Sequence, residues 1–159
     1  MSTRIRIQFK KSKTERHWVG YALKIAQHLL RQRLDLQLAH LGINAPQLAV
    51  LIAVARDPGV SNASLARSAF VTPQSMHGML ANLERMQLIS RTPHEQHGRI
   101  VQTALTAKGL RVKEAGSVVA NDVERLMLSE LSPDEANCLA ELLGRCSRAL
   151  ERHQEESSD

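Results

Sequence analysis

Residues 61–92 read SNASLARSAFVTPQSMHGMLANLERMQLISRT, and the order of signals in this stretch decides the fold. A short helical segment follows a cap at Ser61 or Asn62 and closes after about two turns. Thr72 and Pro73 then start a longer helix, because threonine is a good N-cap and proline is favoured at the first helical position. Two helices joined by a tight turn in this way predict a helix-turn-helix.

The longer helix has one apolar side and one small, polar side. Its apolar residues recur at three- and four-residue steps: Met76, Met79, Leu80, Leu83 and Met86. Small side chains on the other side would let the helix enter the major groove of duplex DNA, where base edges are read. The predicted DNA contacts from this segment are Thr72, Pro73, Gln74, Ser75, His77, Gly78 and Asn82. The alternative is a solvated helix face, and the helix-turn-helix context favours DNA contact.

The residues after this helix change from helical spacing to strand-like alternation. Residues 88–92 and 99–105 predict two strands, joined by the turn-rich PHEQHG of residues 93–98. A hairpin directly after a helix-turn-helix is placed to follow the DNA backbone or to enter the minor groove as a wing. Its predicted DNA contacts are Arg91, His97 and Arg99. For Arg91 the alternative is a role in holding the wing against the helices.

Helical patterns also precede this central region. Apolar residues recur from Val19 to Leu41 and predict a long amphipathic helix that ends at Gly42. A second helix opens at Asn44, where Gln47 completes a capping box. We expect the buried face of this second helix to consist of Leu48, Leu51, Ile52 and Ala55.

Two further helices follow the wing. Thr106 caps the first of them, and the Ser-Pro-Asp-Glu of residues 132–135 forms a capping box that opens the last. Apolar residues in the last helix step by three and four positions, which is the spacing in the seam between two packed helices. The predicted dimerisation residues in that seam are Leu139, Leu143, Cys146 and Leu150.

Together these segments predict a mainly α fold with a small β-hairpin wing, in which a winged helix-turn-helix is joined to a helical dimerisation region, with about six helices. The winged helix-turn-helix covers residues 44–106, and the dimerisation region covers residues 15–42 and 107–155. A basic N-terminal arm at residues 1–14 and a frayed tail at residues 156–159 complete the expected organisation.

The chain is basic overall, with 21 Lys and Arg against 16 Asp and Glu and a pI near 9.7. Residues 1–40 hold nine basic against two acidic residues, residues 41–119 hold eight against four, and residues 120–159 hold four against ten. We therefore expect a polyanion-binding surface in the first three-quarters of the chain. Aromatic residues make up 3% of the chain, too few for the stacking platforms of RNA or single-strand binders, so duplex DNA is the favoured nucleic acid.

Other classes of protein lack support in the sequence. No run approaches the roughly 20 apolar residues of a membrane-spanning helix, and the basic start lacks the apolar run of a secretory signal. We therefore expect a cytoplasmic protein that contacts no membrane. Without a nucleophile elbow, a phosphate loop or paired carboxylates, we expect neither an enzyme nor a cofactor. His94 and His97 share the wing but have no third ligand at a recognised spacing, so we expect no metal site.

The two cysteines, Cys138 and Cys146, both lie on the last predicted helix. Eight residues of helix separate them by about 12 Å, which is too far for an intrachain disulfide. We expect Cys146 to be a small packing residue in the seam. Oxidation sensing and a disulfide between subunits are the alternatives.

Several segments, taken in order, resemble the MarR family of bacterial transcription regulators. They are SLA at residues 64–66, FVT at 70–72, residues 80–83, LISR at 88–91, GR at 98–99 and LTAKG at 105–109. The resemblance implies a homodimer formed through the first, fifth and sixth helices, with two winged heads on a palindromic operator. It also implies repression that is relieved by a small ligand or by oxidation.

The sequence departs from the family pattern at several positions. His97 stands where the family usually has an aspartate that supports the wing arginine, and Gln87 stands where a helix-ending glycine with positive φ is usual. Gly78 replaces a residue that is often polar and DNA-facing, and Glu95 is unfavourable beside phosphate. These departures leave a second hypothesis open, a helical dimer that acts as a protein-binding adaptor with little DNA affinity.

The first helix carries the candidate effector-binding residues Trp18, Tyr21, His28 and Arg31. In the resembled family, this region borders a cleft between the dimerisation and DNA-binding lobes. Rings beside a cation suit a small aromatic or anionic ligand. The alternative is that the same residues are ordinary anchors of a dimer interface.

Overall fold

The computed structural model describes residues 19–93 and 101–156, and the predicted mainly α fold with a β-hairpin is confirmed there. In chain order the elements are α1 (Val19–Leu38), α2 (Ala45–Arg56), α3 (Asn62–Ser68), α4 (Pro73–Arg85), β1 (Ile89–Pro93), β2 (Val101–Leu105), α5 (Ala107–Met127) and α6 (Pro133–Glu156). A 3-10 turn follows α1 and ends at Gly42 in the left-handed conformation. Three ranges lie outside the described residues: 1–18, 94–100 and 157–159. They contain the predicted basic arm and the candidate residues Trp18, His97 and Arg99, together with His94 and Glu95.

The predicted helix starts are confirmed by the side chains that cap them. Asn44 Oδ1 accepts from the Gln47 N–H at 3.0 Å, and Gln47 Oε1 accepts from the Asn44 N–H at 3.0 Å, which closes a reciprocal box. Hydrogen bonds from the backbone N–H and the hydroxyl of Ser132 complete a second box and lower the pKa of Glu135. A side-chain oxygen that accepts from the backbone N–H three residues on also caps α3, α4 and α5, at Ser61, Thr72 and Thr106.

Two helices of the helix-turn-helix, α3 and α4, end in Schellman turns whose left-handed residue is not glycine. Phe70 has a φ of 52° and Gln87 a φ of 60°, so the predicted positive φ at Gln87 is confirmed. In each turn, two N–H groups donate back to carbonyls five and three residues earlier, at 2.8–3.1 Å. Because the Leu88 N–H is used to close α4, β1 begins at Ile89, one residue later than predicted.

Replacing Gln87 with glycine is expected to stabilise the protein. The Gln87 side chain is exposed, and a residue with a Cβ is disfavoured in the left-handed region by about 1–2 kcal/mol, part of which glycine loses to its own chain entropy. We expect the free energy of unfolding to rise by about 1 kcal/mol and the melting temperature by about 3 °C. Gln87→Ala is the control, because alanine keeps the Cβ. An equal gain in both variants would show that the backbone conformation is not the cause.

The hydrophobic core lies where α2, α3, α4 and β1 meet, with α1 and α5 packed over it. The centre of the predicted α4 stripe is buried, and so are the apolar residues of α3 and its C-cap: Met76, Leu80, Leu83, Leu65, Ala66 and Ala69. The predicted face of α2 is wrong in part, because Ile52 is 42% exposed and Ala55 is exposed, whereas Val50 and Val54 are buried. α2 contacts α1 and α5 as well as α3 and β2, so its buried surface is wider than one stripe.

The hairpin is joined to the helical core at its base. β1 and β2 pair antiparallel from Ile89 opposite Leu105 to Pro93 opposite Val101. The Gly59 N–H, in the loop after α2, donates to Thr103 O at 3.1 Å, and Thr103 is buried. These contacts fix the described part of the wing relative to α2.

The last helix, α6, stands apart from the core. None of its described side chains is buried, although it carries leucines along its length. α1 and α5 also expose large apolar side chains, among them Leu29, Leu36, Val118 and Leu126. In the described chain, the apolar surface outside the core is therefore concentrated on α1, α5 and α6.

The described helices differ in length and in apolar content. No single one is long and apolar enough to cross a membrane. The segments Val19–Leu41 and Ala45–Arg56 reach that length and composition only as a pair, and they are bent by 72° where they join.

Candidate nucleic-acid interface

The outward face of α4 is the candidate DNA-reading surface. Most of the predicted contacts are exposed, namely Thr72, Pro73, Gln74, Ser75, His77 and Gly78, whereas Asn82 is half-buried. Thr72 Oγ1 accepts from the Ser75 N–H at 3.1 Å and donates to Ser75 Oγ at 2.9 Å, so two hydroxyls are held together where the helix begins. A Cβ built on Gly78 would have no neighbour within 4 Å, so no described contact requires a glycine there. The face is open and offers both donors and acceptors.

One residue of this face, His77, is held from the neighbouring helix. Asn62 Nδ2 on α3 lies 2.9 Å from His77 Nδ1, and Pro73 O lies 3.2 Å from the same nitrogen. The Asn62 side-chain oxygen is buried and has no hydrogen-bond partner among the described residues. The sequence suggested Asn62 only as a helix cap, because a contact between residues 15 positions apart leaves no local pattern.

Arginines surround the polar face. Arg85 Nη2 donates to Asn82 Oδ1 at 2.6 Å, so the predicted contact at Asn82 already has a partner within the helix. Arg91 is half-buried beside α4, with Nη1 4.0 Å from Glu84 Oε2. Its Nε is buried without a hydrogen-bond partner among the described residues. This position supports the alternative prediction for Arg91, in which it holds the wing against the helices.

Phe70 is an exposed aromatic residue in the turn of the helix-turn-helix. Its side chain is 95% exposed, and its φ of 52° is unusual for a bulky residue. In the sequence, Phe70 was noted only within the family-like residues 70–72, and no pattern there predicted its exposure. Phenylalanine can contact a thymine methyl group in the major groove.

The candidate effector residues of α1 do not form an enclosed site in the described chain. Tyr21 and His28 are exposed, and Arg31 Nε donates to Asp35 Oδ2 at 3.3 Å. Asp35 Oδ1 in turn accepts from the Ala45 N–H at 2.7 Å, at the first turn of α2. Arg31 is therefore part of a tether between α1 and the DNA-binding lobe.

A cavity of about 660 Å³ lies instead between the middle of α1 and the end of α5. Its lining is apolar except for Gln32 and Arg33, and it includes none of the described effector candidates. The apolar residues that line it are Ala26, Leu29, Leu30, Leu36, Val123, Leu126 and Met127.

The predicted seam of α6 is accessible in the single chain. Leu139 is 39% and Leu150 71% exposed, and Leu143 is half-buried. Cys138 and Cys146 are both free and exposed in the single chain.

Comparison with known proteins decides the family. A model described as MarR family matches residues 41–100, from the 3-10 turn before α2 to the segment between the two strands. The transcriptional repressor Rv2887 of Mycobacterium tuberculosis is 32% identical over 114 residues, which cover 72% of this chain and 82% of that repressor. The chain belongs to the MarR family. The resemblance found in the sequence is thereby confirmed.

Solved structures agree with the MarR assignment. The M. tuberculosis MarR family protein Rv2887 in complex with DNA matches with a TM-score of 0.66 and 27% identity, over 80% of this chain and 96% of that one. Rv2887 in complex with p-aminosalicylic acid matches with a TM-score of 0.69 and 27% identity, over 81% and 98% of the two chains. The predicted winged helix-turn-helix fold of this MarR-family regulator is therefore confirmed.

Proposed function

We propose that this MarR-family chain is a sequence-specific double-stranded-DNA-binding regulator that acts in the cytoplasm as a homodimeric repressor on a palindromic operator. The observation that carries the proposal is the open, polar face of α4, with Gln74, Ser75 and His77 exposed at its N-terminal half. Recognition helices read the major groove from that half. A MarR-family relative with the same fold has been solved with DNA, which supports the same partner here.

The partner in the dimer is a second copy of this chain. α6 extends without burying a single described side chain, and the cavity between α1 and α5 has a mostly apolar lining. The acidic C-terminal part of the chain also suits a protein partner better than phosphate. Pairing through α1, α5 and α6 would cover this surface and place two α4 helices about 10 base pairs apart, the spacing of successive major grooves.

The proposed effector is a small aromatic carboxylate. The MarR-family protein Rv2887 has been solved with p-aminosalicylic acid, and Tyr21, His28 and Arg31 offer rings and a cation on one side of α1. A ligand that takes Arg31 from Asp35 would loosen the tether to α2 and so bias the dimer away from its DNA-binding spacing.

Arg31→Gln is expected to raise the salicylate concentration that releases operator DNA by about ten-fold, because a charge-assisted hydrogen bond is lost. Arg33→Gln is the matched control, since Arg33 is two residues away and lines the α1–α5 cavity. Release can be followed by fluorescence anisotropy of labelled operator. An effect of Arg33→Gln with none from Arg31→Gln would place the ligand in the cavity and contradict the site proposed on α1.

DNA footprinting of the region upstream of the chain's own gene tests the proposed function. We expect protection of a palindrome with two half-sites about 10 base pairs apart, bound by one dimer. If no fragment were protected, or if all fragments and a library of random duplexes were protected uniformly, the adaptor hypothesis would be favoured over the regulator hypothesis.

A further inference from the structure

Asn62 on α3 contacts His77 on the outward face of α4, which is the face proposed to bind DNA. His77 is exposed, so one side of its ring is free to meet DNA, and its Nδ1 is occupied by the 2.9 Å contact to Asn62 Nδ2. Nε2 has no hydrogen-bond partner in the described part of the chain. The two ring nitrogens therefore have separate roles, one toward the protein and one toward the solvent.

The hydrogen on the ring follows from the partner of Nδ1. Nδ1 accepts a hydrogen bond from the amide nitrogen of Asn62 as that amide is oriented in the structure, and this orientation leaves Nδ1 without a hydrogen. The neutral ring then carries its hydrogen on Nε2. Pro73 O lies 3.2 Å from the same nitrogen and would favour the other tautomer, with the hydrogen on Nδ1, so we take the tautomer that the shorter contact to Asn62 requires.

We propose that Asn62 is a positioning residue, which fixes the ring of His77 so that its Nε2–H donates to one hydrogen-bond acceptor on the operator. The acceptor is a guanine N7 in the major groove or a phosphate oxygen, and both accept a hydrogen bond from an N–H group. This inference rests on the proposed DNA-binding function. In this proposal, α3 contributes to operator recognition indirectly, because Asn62 orients His77 on α4.

A double-mutant cycle on operator affinity tests the coupling. His77→Ala is expected to weaken operator binding about five- to ten-fold, the effect of one hydrogen bond, and Asn62→Ala about three-fold. In the His77→Ala background, Asn62→Ala should change the affinity less than two-fold, because the side chain that it orients is gone. Ser61→Ala is the matched control, since it removes the cap of the same helix and touches no part of His77, so its effect should be equal in both backgrounds.

Equal losses from Asn62→Ala with and without His77 would show a general structural role and overturn the inference. A wild-type protein that does not distinguish operator from scrambled DNA would instead refute the proposed function, so the two failures are separate.

Modified operators identify the acceptor. If it is a guanine N7, 7-deazaguanine at one position will remove the difference between wild type and His77→Ala. If it is a phosphate, a methylphosphonate at one position will do the same. A difference that survives every such substitution in the half-site would mean that His77 donates to neither, and the inference would be wrong.

Discussion

Replacing Gly109 with alanine is expected to lower the free energy of unfolding by about 3 kcal/mol or more, a large part of the stability of a domain of this size. A Cβ on Gly109 would lie 2.8 Å from the Leu88 carbonyl carbon and closer still to its oxygen. That carbonyl cannot easily move, because it accepts from the Thr106 N–H at 3.1 Å and from Thr106 Oγ1 at 3.3 Å. The alanine methyl group would therefore separate α5 from the base of the wing. Urea unfolding followed by circular dichroism measures the loss.

Two other glycines provide graded controls for this clash. A Cβ on Gly116 would lie 2.7 Å from Leu48 Cδ1, the end of a side chain that can shift, so Gly116→Ala should cost about 1 kcal/mol. Gly78→Ala meets open space in a helix and should stabilise the protein by about 0.5–1 kcal/mol. If Gly109→Ala were no worse than Gly116→Ala, the close packing of α5 on Leu88 would be contradicted.

Introducing arginine at Leu139 and Leu143 together is expected to convert the proposed dimer to monomers and to weaken operator binding by at least about 100-fold. Both residues lie in the predicted seam of α6, and two buried charges in an apolar interface would have no counter-ion. A monomer reaches only one half-site, so it loses the gain from linked binding, which is commonly 10²–10⁴-fold.

The measurement is light scattering after size-exclusion chromatography, followed by titration of the same samples onto operator DNA. Ala140→Arg together with Ser147→Arg is the control, because both residues are exposed on α6 outside the predicted seam and the pair adds the same two charges. A wild-type protein that elutes as a monomer, or a double variant that remains a dimer with full affinity, would contradict the proposed interface.

Much of this fold could be predicted from local sequence signals. Capping residues are read directly, as Thr72 and Thr106 show, because the cap and its backbone partner are three residues apart. The positive φ at Gln87, by contrast, was expected from the family pattern, in which a glycine usually ends this helix. The starts of the helices, the hairpin and the two sides of α4 could therefore be predicted from the sequence.

The features that were missed depend on contacts between distant residues. The exposed position of Ile52 follows from the packing of α2 between several elements, which periodicity in one helix does not show. The tether from Asp35 to Ala45 crosses from α1 to α2, and the contact from Asn62 to His77 crosses from α3 to α4. The position of the apolar cavity likewise depends on how α1 and α5 meet, so the effector candidates chosen along α1 did not include its lining.

The salt dependence of operator binding distinguishes a sequence-specific DNA-binding regulator from the adaptor alternative. Fluorescence anisotropy would be recorded at several salt concentrations for the upstream palindrome and a scrambled duplex, with Arg99→Ala beside the wild type. Arg125→Ala is the control, because Arg125 on α5 is paired with Asp122 at 2.9 Å. We expect tight binding to the palindrome alone. The slope of log affinity against log salt concentration should be about −0.9 for each phosphate neutralised, and its magnitude should fall by about 1 in Arg99→Ala only. Weak binding that is equal for both duplexes and unchanged by Arg99→Ala would contradict the regulator hypothesis.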